Sequence, residues 1–152
     1  MITLKSAHEI ELMRRAGKIT AAARAVARDM VKPGVTTQQI DKAVHRFITE
    51  QGAIPSFLHY NGYPASVCVS VNDEIIHGIP GDRVLHEGDI VSVDVGARYR
   101  GFNGDCAGTF PCGQCSDEAL RLIRITRQSF FEGIRFARVG YRISDIGHAI
   151  QD

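Results

Sequence analysis

Residues 86–110, HEGDIVSVDVGARYRGFNGDCAGTF, decide the fold of this chain because they contain two strand-like runs joined by a short turn. In the first run, valines alternate with small or polar residues, which is typical of a strand with one buried face. The second run follows almost at once, after a connection near Tyr99-Arg100. The stretch therefore predicts an antiparallel hairpin that carries one aspartate in each strand.

Two helices are predicted before this hairpin. Ser6 with Glu9, and Thr36 with Gln39, have the spacing of capping boxes, in which two side chains satisfy free N–H groups at a helix start. Apolar residues then recur with helical period in both segments. Gly52 follows the second segment and is predicted to end it.

Two short β-like runs are predicted at 66–71 and 74–76, between the helices and the hairpin. Ser116 is predicted to cap a third helix after the hairpin. The order of two helices, four strands and a helix predicts an α+β fold with an antiparallel sheet covered by helices. A further helix begins near Ser144 and meets the end of the chain without a closing signal.

Composition excludes several classes of function. The 152 residues carry a net charge of +1, with 44% hydrophobic and 23% charged residues, so neither DNA nor a membrane surface is an expected partner. No apolar run reaches the roughly 20 residues of a membrane span, and the charged N-terminus is unlike a secretory signal. The four cysteines do not form a disulfide framework. The expected location is the cytoplasm.

Asp94 and Asp105 are the most informative residues. If the hairpin loop has two or four residues centred on Tyr99-Arg100, these aspartates face each other directly, with Cβ atoms about 4.5–5.5 Å apart. Carboxylates so placed repel each other unless a proton or a divalent cation lies between them. A three-residue loop, 99–101, would put them on opposite faces unless a bulge near Gly104 restored the register. The alternative is one edge-strand aspartate in solvent and one turn aspartate.

Other candidate site residues lie upstream of the hairpin. His77 follows a β-like run, where an imidazole can ligate a metal or donate a hydrogen bond to a substrate. A surface or core role without chemistry is the alternative for this histidine. Phe57, Tyr60 and Tyr63 cluster near Cys68 in the sequence, and they either line an apolar pocket or pack a long loop onto the sheet.

Cys112 and Cys115 form a C-x-x-C motif. A structural zinc site needs four ligands, and no second pair with suitable spacing exists. A redox motif is expected to open a helix beside a parallel βαβ unit, which the predicted order lacks. The sequence therefore favours a structural role for both cysteines, although Cys115 directly precedes the predicted cap at Ser116.

The run FLHYNGYPASVCVSVNDEIIHGIP, residues 57–80, together with the hairpin at 86–110, closely resembles the bacterial type I methionine aminopeptidases. The resemblance covers the whole chain. It implies one half of a pita-bread fold, with residues 1–152 as the N-terminal portion of a single domain that is truncated within a helix. It further implies a metallo-aminopeptidase that hydrolyses the initiator methionine from nascent polypeptides, which it could meet at the ribosome.

The resemblance also implies roles for particular residues. Asp94 and Asp105 would bind two divalent ions (Co, Mn, Fe or Zn), with one histidine and two glutamates of the second half as the remaining ligands. His77 would hydrogen-bond the substrate and the tetrahedral intermediate. The pocket for the methionine side chain would be lined by Tyr60, Tyr63 and Cys68, with Phe57 nearby.

Two other functions are consistent with the same residues. Non-catalytic relatives keep the fold and lose the ligands, so a binding protein or an inactive fragment is the main alternative, since the second-half ligands are absent here. Another peptidase of this fold, of the X-Pro or prolidase type, is the third. The 152-residue chain alone is expected to be inactive because two aspartates do not fix a metal's geometry.

Overall fold

The structure is a computed structural model that describes residues 3–152. These residues form two compact units, 3–115 and 116–152. Within the described part of the chain, no helix is both long enough and apolar enough to cross a membrane.

The first unit begins with two helices, α1 (Ala7–Met30) and α2 (Thr37–Glu50). The Ser6 hydroxyl accepts a hydrogen bond from the Glu9 N–H, and the Glu9 carboxylate accepts one from the Ser6 N–H at 2.7 Å. Thr36 and Gln39 form the same reciprocal pair at the start of α2. Both predicted capping boxes are confirmed, and each satisfies donors that a helix start leaves free.

A single antiparallel sheet follows the helices. Its strands, in chain order, are β1 (Ile54–Pro55), β2 (Val67–Val71), β3 (Ile90–Tyr99) and β4 (Phe102–Pro111). β3 is central, because β4 pairs along one side while β2 and the very short β1 pair end to end along the other. The predicted α+β class with an antiparallel sheet is confirmed.

The prediction of a strand at Glu74–Ile76 was wrong, and β1 was not predicted. The Glu74 carboxylate accepts a hydrogen bond from the Val71 N–H at 2.8 Å, which ends β2 in a turn. Ile75 and Ile76 are exposed, and the outer edge of β2 is met by Gly78 instead, whose carbonyl accepts from the Val69 N–H at 2.9 Å. Alternation in so short a run does not separate a strand from an irregular segment.

The core of the first unit lies between one face of the sheet and the two helices. Val91, Val93, Val95 and Ala97 of β3 alternate along this face and are fully buried. They pack in one cluster with Ile19 and Ala23 of α1 and with Ile40, Val44 and Ile48 of α2. The opposite face of β3 therefore presents its even-numbered residues, Ser92, Asp94 and Gly96 among them.

The second unit consists of α3 (Asp117–Ile134) and α4 (Ile143–Gln151). The Ser116 hydroxyl accepts from the Ala119 N–H at 3.2 Å, so the predicted cap is confirmed. The helices approach closely at Gly133, where a Cβ atom would lie 2.6 Å from Ile150.

Gly104 allows α1 to approach the sheet, which gives a test of the fold. A Cβ atom there would lie 2.6 Å from the carbonyl carbon of Ala16 and 2.7 Å from the backbone nitrogen of Gly17. We expect Gly104→Ala to lower the free energy of unfolding by about 2 kcal/mol, since helix backbone must move to admit the methyl group. Urea denaturation followed by circular dichroism measures this change.

Gly17→Ala is the matched control. A Cβ atom on Gly17 meets nothing within 4 Å. Alanine also has a higher helix propensity than glycine. We expect the control to leave stability unchanged or to raise it by up to about 1 kcal/mol. Equal destabilisation by both substitutions would contradict the close packing assigned to Gly104.

Candidate metal centre

Asp94 and Asp105 lie on the same face of the sheet, in diagonal positions rather than directly opposite. The hairpin turn is Arg100-Gly101, so that Tyr99 pairs with Phe102, Asp94 with Ala107, and Gly96 with Asp105. The predicted direct pairing of the aspartates was therefore wrong by two residues. A shift of two keeps the face, since side chains alternate with period two. The ten consecutive pairs of this hairpin contain no bulge.

The two turn residues explain this register. Arg100 and Gly101 both have positive φ, +47° and +90°, which is the conformation of the tight hairpin turns that match the twist of the strands. Glycine adopts it freely, whereas arginine does so rarely. Because arginine is rare in this conformation, Arg100 does not indicate a turn in the sequence. Gly101 is the signal that could have located it.

Asp94 is half-buried, and one oxygen of its carboxyl has no hydrogen-bond partner in the described part of the chain. Its Oδ1 atom is shielded from solvent and receives no hydrogen bond from the described residues. Burial raises the pKa of Asp94 to about 6, and the negative charge of Asp105 and a hydrogen bond between the two carboxyls add to the rise. The charge of His77 acts in the opposite direction. A buried carboxylate with a free oxygen beside a second carboxylate fits a divalent cation.

Cys68 and Tyr63 adjoin Asp94. Cys68 pairs directly with Asp94 across β2 and β3, and it is 5% exposed. Burial raises the pKa of the Cys68 thiol. Tyr63 is half-buried next to it, with its hydroxyl 3.0 Å from the Gly78 carbonyl and 3.2 Å from the Val67 carbonyl. Burial, then the Cys68 thiol, raises the pKa of Tyr63, so its hydroxyl stays a donor.

Phe57 lies over Gly96, the residue that faces Asp105. The Ser56 N–H donates to the Gly96 carbonyl at 2.9 Å, which fixes the approach of the loop. A Cβ atom on Gly96 would lie 2.6 Å from the Phe57 ring, so only glycine admits the aromatic side chain here. Sequence reasoning missed Gly96, although a glycine inside a strand indicates a close approach. Tyr60 is 68% exposed, and its N–H donates to the Phe57 carbonyl at 2.9 Å.

His77 is exposed and has a left-handed backbone, with φ of +58°. The next residue, Gly78, anchors this conformation to the edge of β2 because its N–H donates to the Ser70 hydroxyl at 3.0 Å. A Cβ atom on Gly78 would collide with the Val69 carbonyl. Strained backbone held by such contacts is common at functional sites. Gly78 was also missed, and its place directly after His77 was the available signal.

Asp41 is a further residue that sequence reasoning missed. Its Oδ1 atom accepts from the Ser66 and Val67 N–H groups, at 2.7 and 3.2 Å. Ser66 also hydrogen-bonds His45 of the same helix at 2.8 Å. Helix α2 thereby fixes the start of β2, just before Cys68. No spacing in the sequence indicates this contact, since it joins residues far apart in the chain.

The described residues do not complete a metal site. Across residues 3–152, no group of three or more His, Cys, Asp or Glu side chains is arranged to hold an ion. Asp94 and Asp105 could supply a divalent cation with two oxygen-bearing side chains, fewer than the ligands that fix a metal's geometry.

Comparison with known proteins identifies the family. Residues 11–152 match the sequence profile described as Metallopeptidase family M24. The chain belongs to the M24 metallopeptidases.

Several M24 proteins named methionine aminopeptidase are similar to this chain. It is 48% identical over 151 residues to methionine aminopeptidase 1 of Bacillus subtilis, which covers 99% of this chain and 61% of that protein. It is 51% identical over 153 residues to the methionine aminopeptidase of Clostridium acetobutylicum, covering 100% of this chain and 61% of that protein. The resemblance stated from the sequence is confirmed.

The crystal structure of methionine aminopeptidase from Rickettsia prowazekii superposes on this chain with a TM-score of 0.96 at 40% sequence identity. The superposition covers 99% of this chain and 61% of that structure. The predicted likeness to part of the pita-bread fold is confirmed. This M24 chain thus spans about 61% of the length of the relatives that it matches.

The unpartnered Asp94 carboxylate leads to a prediction about stability. In metal-free buffer at pH 7.5 we expect Asp94→Asn to raise the free energy of unfolding by about 1 kcal/mol, a figure reduced for solvent screening around a half-buried group. The substitution removes a charge that is disfavoured both by burial and by Asp105. Urea unfolding in the presence of a chelator measures the difference.

The stability gained by Asp94→Asn should depend on pH. Because the Asp94 pKa is raised from 3.8 to about 6 on folding, the folded chain binds a proton more readily than the unfolded chain does. Wild-type stability from this group therefore rises as pH falls from about 7 towards 4, and the advantage of the variant shrinks. Asp73→Asn, in the exposed turn after β2, is the control. A gain that persists unchanged at pH 4 would contradict the assigned cause.

Proposed function

We propose that this chain carries part of the active site of a metallo-aminopeptidase that removes the initiator methionine from nascent polypeptides. The observation that carries the proposal is the placement of Asp94 and Asp105 on one face of the sheet, where one Asp94 oxygen is buried and accepts no hydrogen bond from the described residues. Cys68 pairs with Asp94 on this face, and Phe57 lies over Gly96. The names of the most similar relatives support the substrate class.

Asp94 and Asp105 are the residues that would hold divalent metal. We propose two ions, of cobalt, manganese, iron or zinc, since carboxylate oxygens accept all of these and cellular availability selects among them. Bound ions would supply Lewis-acid polarisation of the scissile carbonyl and would lower the pKa of the attacking water. The raised pKa of Asp94 would return towards its ordinary value once a cation replaces the proton.

His77 would donate a hydrogen bond to the substrate carbonyl and to the oxyanion that forms from it. Its exposed position and anchored backbone leave the imidazole free to meet a substrate while the main chain stays fixed. The influence of His77 on the Asp94 pKa supports its nearness to the carboxylates.

The walls of the methionine pocket would be Phe57, Tyr63 and Cys68, with Tyr60 closing the exposed side. A methionine thioether packs well against aromatic rings and the small, buried thiol of Cys68. The protonated Tyr63 hydroxyl is held by two carbonyl groups, so its ring presents a fixed surface to the pocket. We propose a cytoplasmic location, where nascent chains at the ribosome present their initiator methionine, with no role for DNA or a membrane.

A non-catalytic binding protein is the second candidate. One observation favours it, namely that residues 3–152 contain only two of the ligands that a metal centre needs. A binding protein would retain the pocket without turning over its ligand, and metal would leave its affinity unchanged.

A chimaera tests the proposed activity. The part of the Bacillus subtilis relative that lies beyond the aligned region is fused after Asp152 and assayed for methionine release from a Met-Ala peptide with Mn²⁺. We expect chelator-sensitive release, which Asp94→Asn or Asp105→Asn in this chain lowers at least about 100-fold in kcat/KM, since each removes a ligand. Asp29→Asn is the control and should retain full activity.

Three outcomes of this assay separate the candidates. Methionine release by the 152-residue chain without the fused segment would contradict our inference that its residues do not complete a metal site. A folded chimaera that binds Mn²⁺ and methionine without hydrolysis would favour the binding protein. Preference for an X-Pro peptide over Met-Ala would indicate a different peptidase of the same family.

His77→Asn in the same chimaera tests the proposed hydrogen bond. Asparagine tolerates the left-handed backbone of this position, so the fold is expected to persist. We expect kcat to fall about 100-fold with little change in KM, because the bond strengthens as the oxyanion forms. An increase in KM alone would instead show that His77 only binds the ground state.

A further inference from the structure

The two cysteines of the C-x-x-C motif lie at the open end of the β3–β4 hairpin, opposite its turn at Arg100-Gly101. Ile90 and Pro111 form the last pair of the ladder. Beyond it, the Cys112 N–H donates to the Asp89 carbonyl at 2.8 Å and the Gly88 N–H donates to the Cys112 carbonyl at 2.9 Å. The backbone of Cys112 is therefore held on both sides.

The two cysteines converge on one carbonyl oxygen. The Asp89 carbonyl that accepts the Cys112 N–H also accepts the Cys115 thiol, at 3.3 Å. The Cys115 Sγ atom lies 4.0 Å from the Cys112 carbonyl oxygen as well. The chain thus turns back so that the Cys115 sulfur lies against the Cys112 residue.

The residues between the cysteines fix this turn. Gly113 has a left-handed backbone, with φ of +67°, and a Cβ atom there would collide with the Glu87 carboxylate. The same carboxylate accepts a hydrogen bond from the Gln114 N–H. Gly113 and Glu87 therefore hold the motif in a defined shape, which a pair of cysteines on a freely moving loop would lack.

The two sulfurs differ in access to solvent. Cys112 is fully buried, whereas Cys115 is partly exposed. Burial raises the pKa of the Cys112 thiol, and the carboxylates of Asp89 and Glu87 add to the rise. A reagent from solvent therefore meets Cys115 first.

We propose that Cys112 and Cys115 are a redox-active pair. They form a reversible disulfide with each other when they are oxidised by a low-molecular-weight disulfide such as glutathione disulfide. The Cys115 thiolate attacks one sulfur of the oxidant, whose S–S bond breaks and releases one thiolate. The Cys112 thiolate then attacks the Cys115 sulfur and releases the second. The chain loses two protons and two electrons, and the oxidant becomes two molecules of thiol.

Oxidation would change the contacts at this end of the hairpin. The disulfide removes the S–H donor from the Asp89 carbonyl and leaves the Cys112 N–H as its donor within the motif. Asp89 directly precedes β3 and Cys112 directly follows β4, the two strands that carry Asp94 and Asp105. The pair is thus a modification site adjoining the strands of the proposed metal centre, and it exists whether or not that proposal holds.

Thiol titration and peptide mapping of the 152-residue chain test the pair. After incubation with glutathione disulfide and denaturation, we expect the four free thiols to fall to two, with a mapped link between Cys112 and Cys115. Dithiothreitol should restore all four. Loss of no thiols, a lasting glutathione adduct on Cys115, or a link to Cys68 or Cys106 would each overturn the proposal.

Two variants test the order of attack. In Cys112→Ser, a glutathione adduct should accumulate on Cys115, because the second thiol is gone. In Cys115→Ser, Cys112 should remain unmodified, because it is buried. An adduct on Cys112 in the second variant would overturn the assigned order. Cys115→Ser changes a partly exposed residue, so it still tests the order of attack if Cys112→Ser does not fold.

Discussion

The register of the β3–β4 hairpin is the constraint on which the rest of the first unit depends. The turn at Arg100-Gly101 pairs Tyr99 with Phe102 and so determines every later pair of the ladder. A slip of one residue would turn Asp105 to the helix side and bring Cys106 to the open face. It would also move Gly104 away from α1, whose backbone the hairpin contacts there. One tight turn therefore sets both the core and the candidate site.

The two faces of the sheet differ in chemistry: one is apolar and the other is polar. The valines of the helix-facing side bury apolar surface against α1 and α2, and this burial supplies most of the stabilisation. The other face holds hydroxyl groups at Ser92 and Thr109, 2.8 Å apart, next to the unpartnered Asp94. Burial and the charge of Asp105 both disfavour the charged form of Asp94, which lowers stability. Burial of the apolar face must offset this loss.

Local signals made most of the first unit predictable from the sequence. Capping boxes at Ser6 and Thr36 depend on residues three positions apart, and the valine alternation of β3 depends on neighbours in the same strand. The candidate carboxylates were identified for the same reason, since an aspartate within a run of valines is locally conspicuous. Their shared face was predicted correctly for a two- or four-residue loop, although the pairing itself was displaced.

The features that could not be predicted depend on contacts between distant segments. The strand β1 exists because Ile54 and Pro55 meet the end of β3, and Asp41 binds backbone groups 25 and 26 residues away. Gly96 is needed because a separate loop brings Phe57 onto it. Apart from the glycine inside a strand at position 96, these contacts leave no signal in the sequence. They are also the contacts that shape the surroundings of Asp94.

In the proposed metal centre, stability and metal binding would be linked through a single atom. The Asp94 oxygen that lacks a donor destabilises the folded chain when the carboxylate is charged, and the same oxygen would be available to a bound cation. A ligand that binds only the folded state stabilises it by mass action, and here it would also remove the repulsion from Asp105. Replacing the charge should thus separate the two effects, with greater stability and weaker binding. A carboxylate retained for structure alone would show no such opposition.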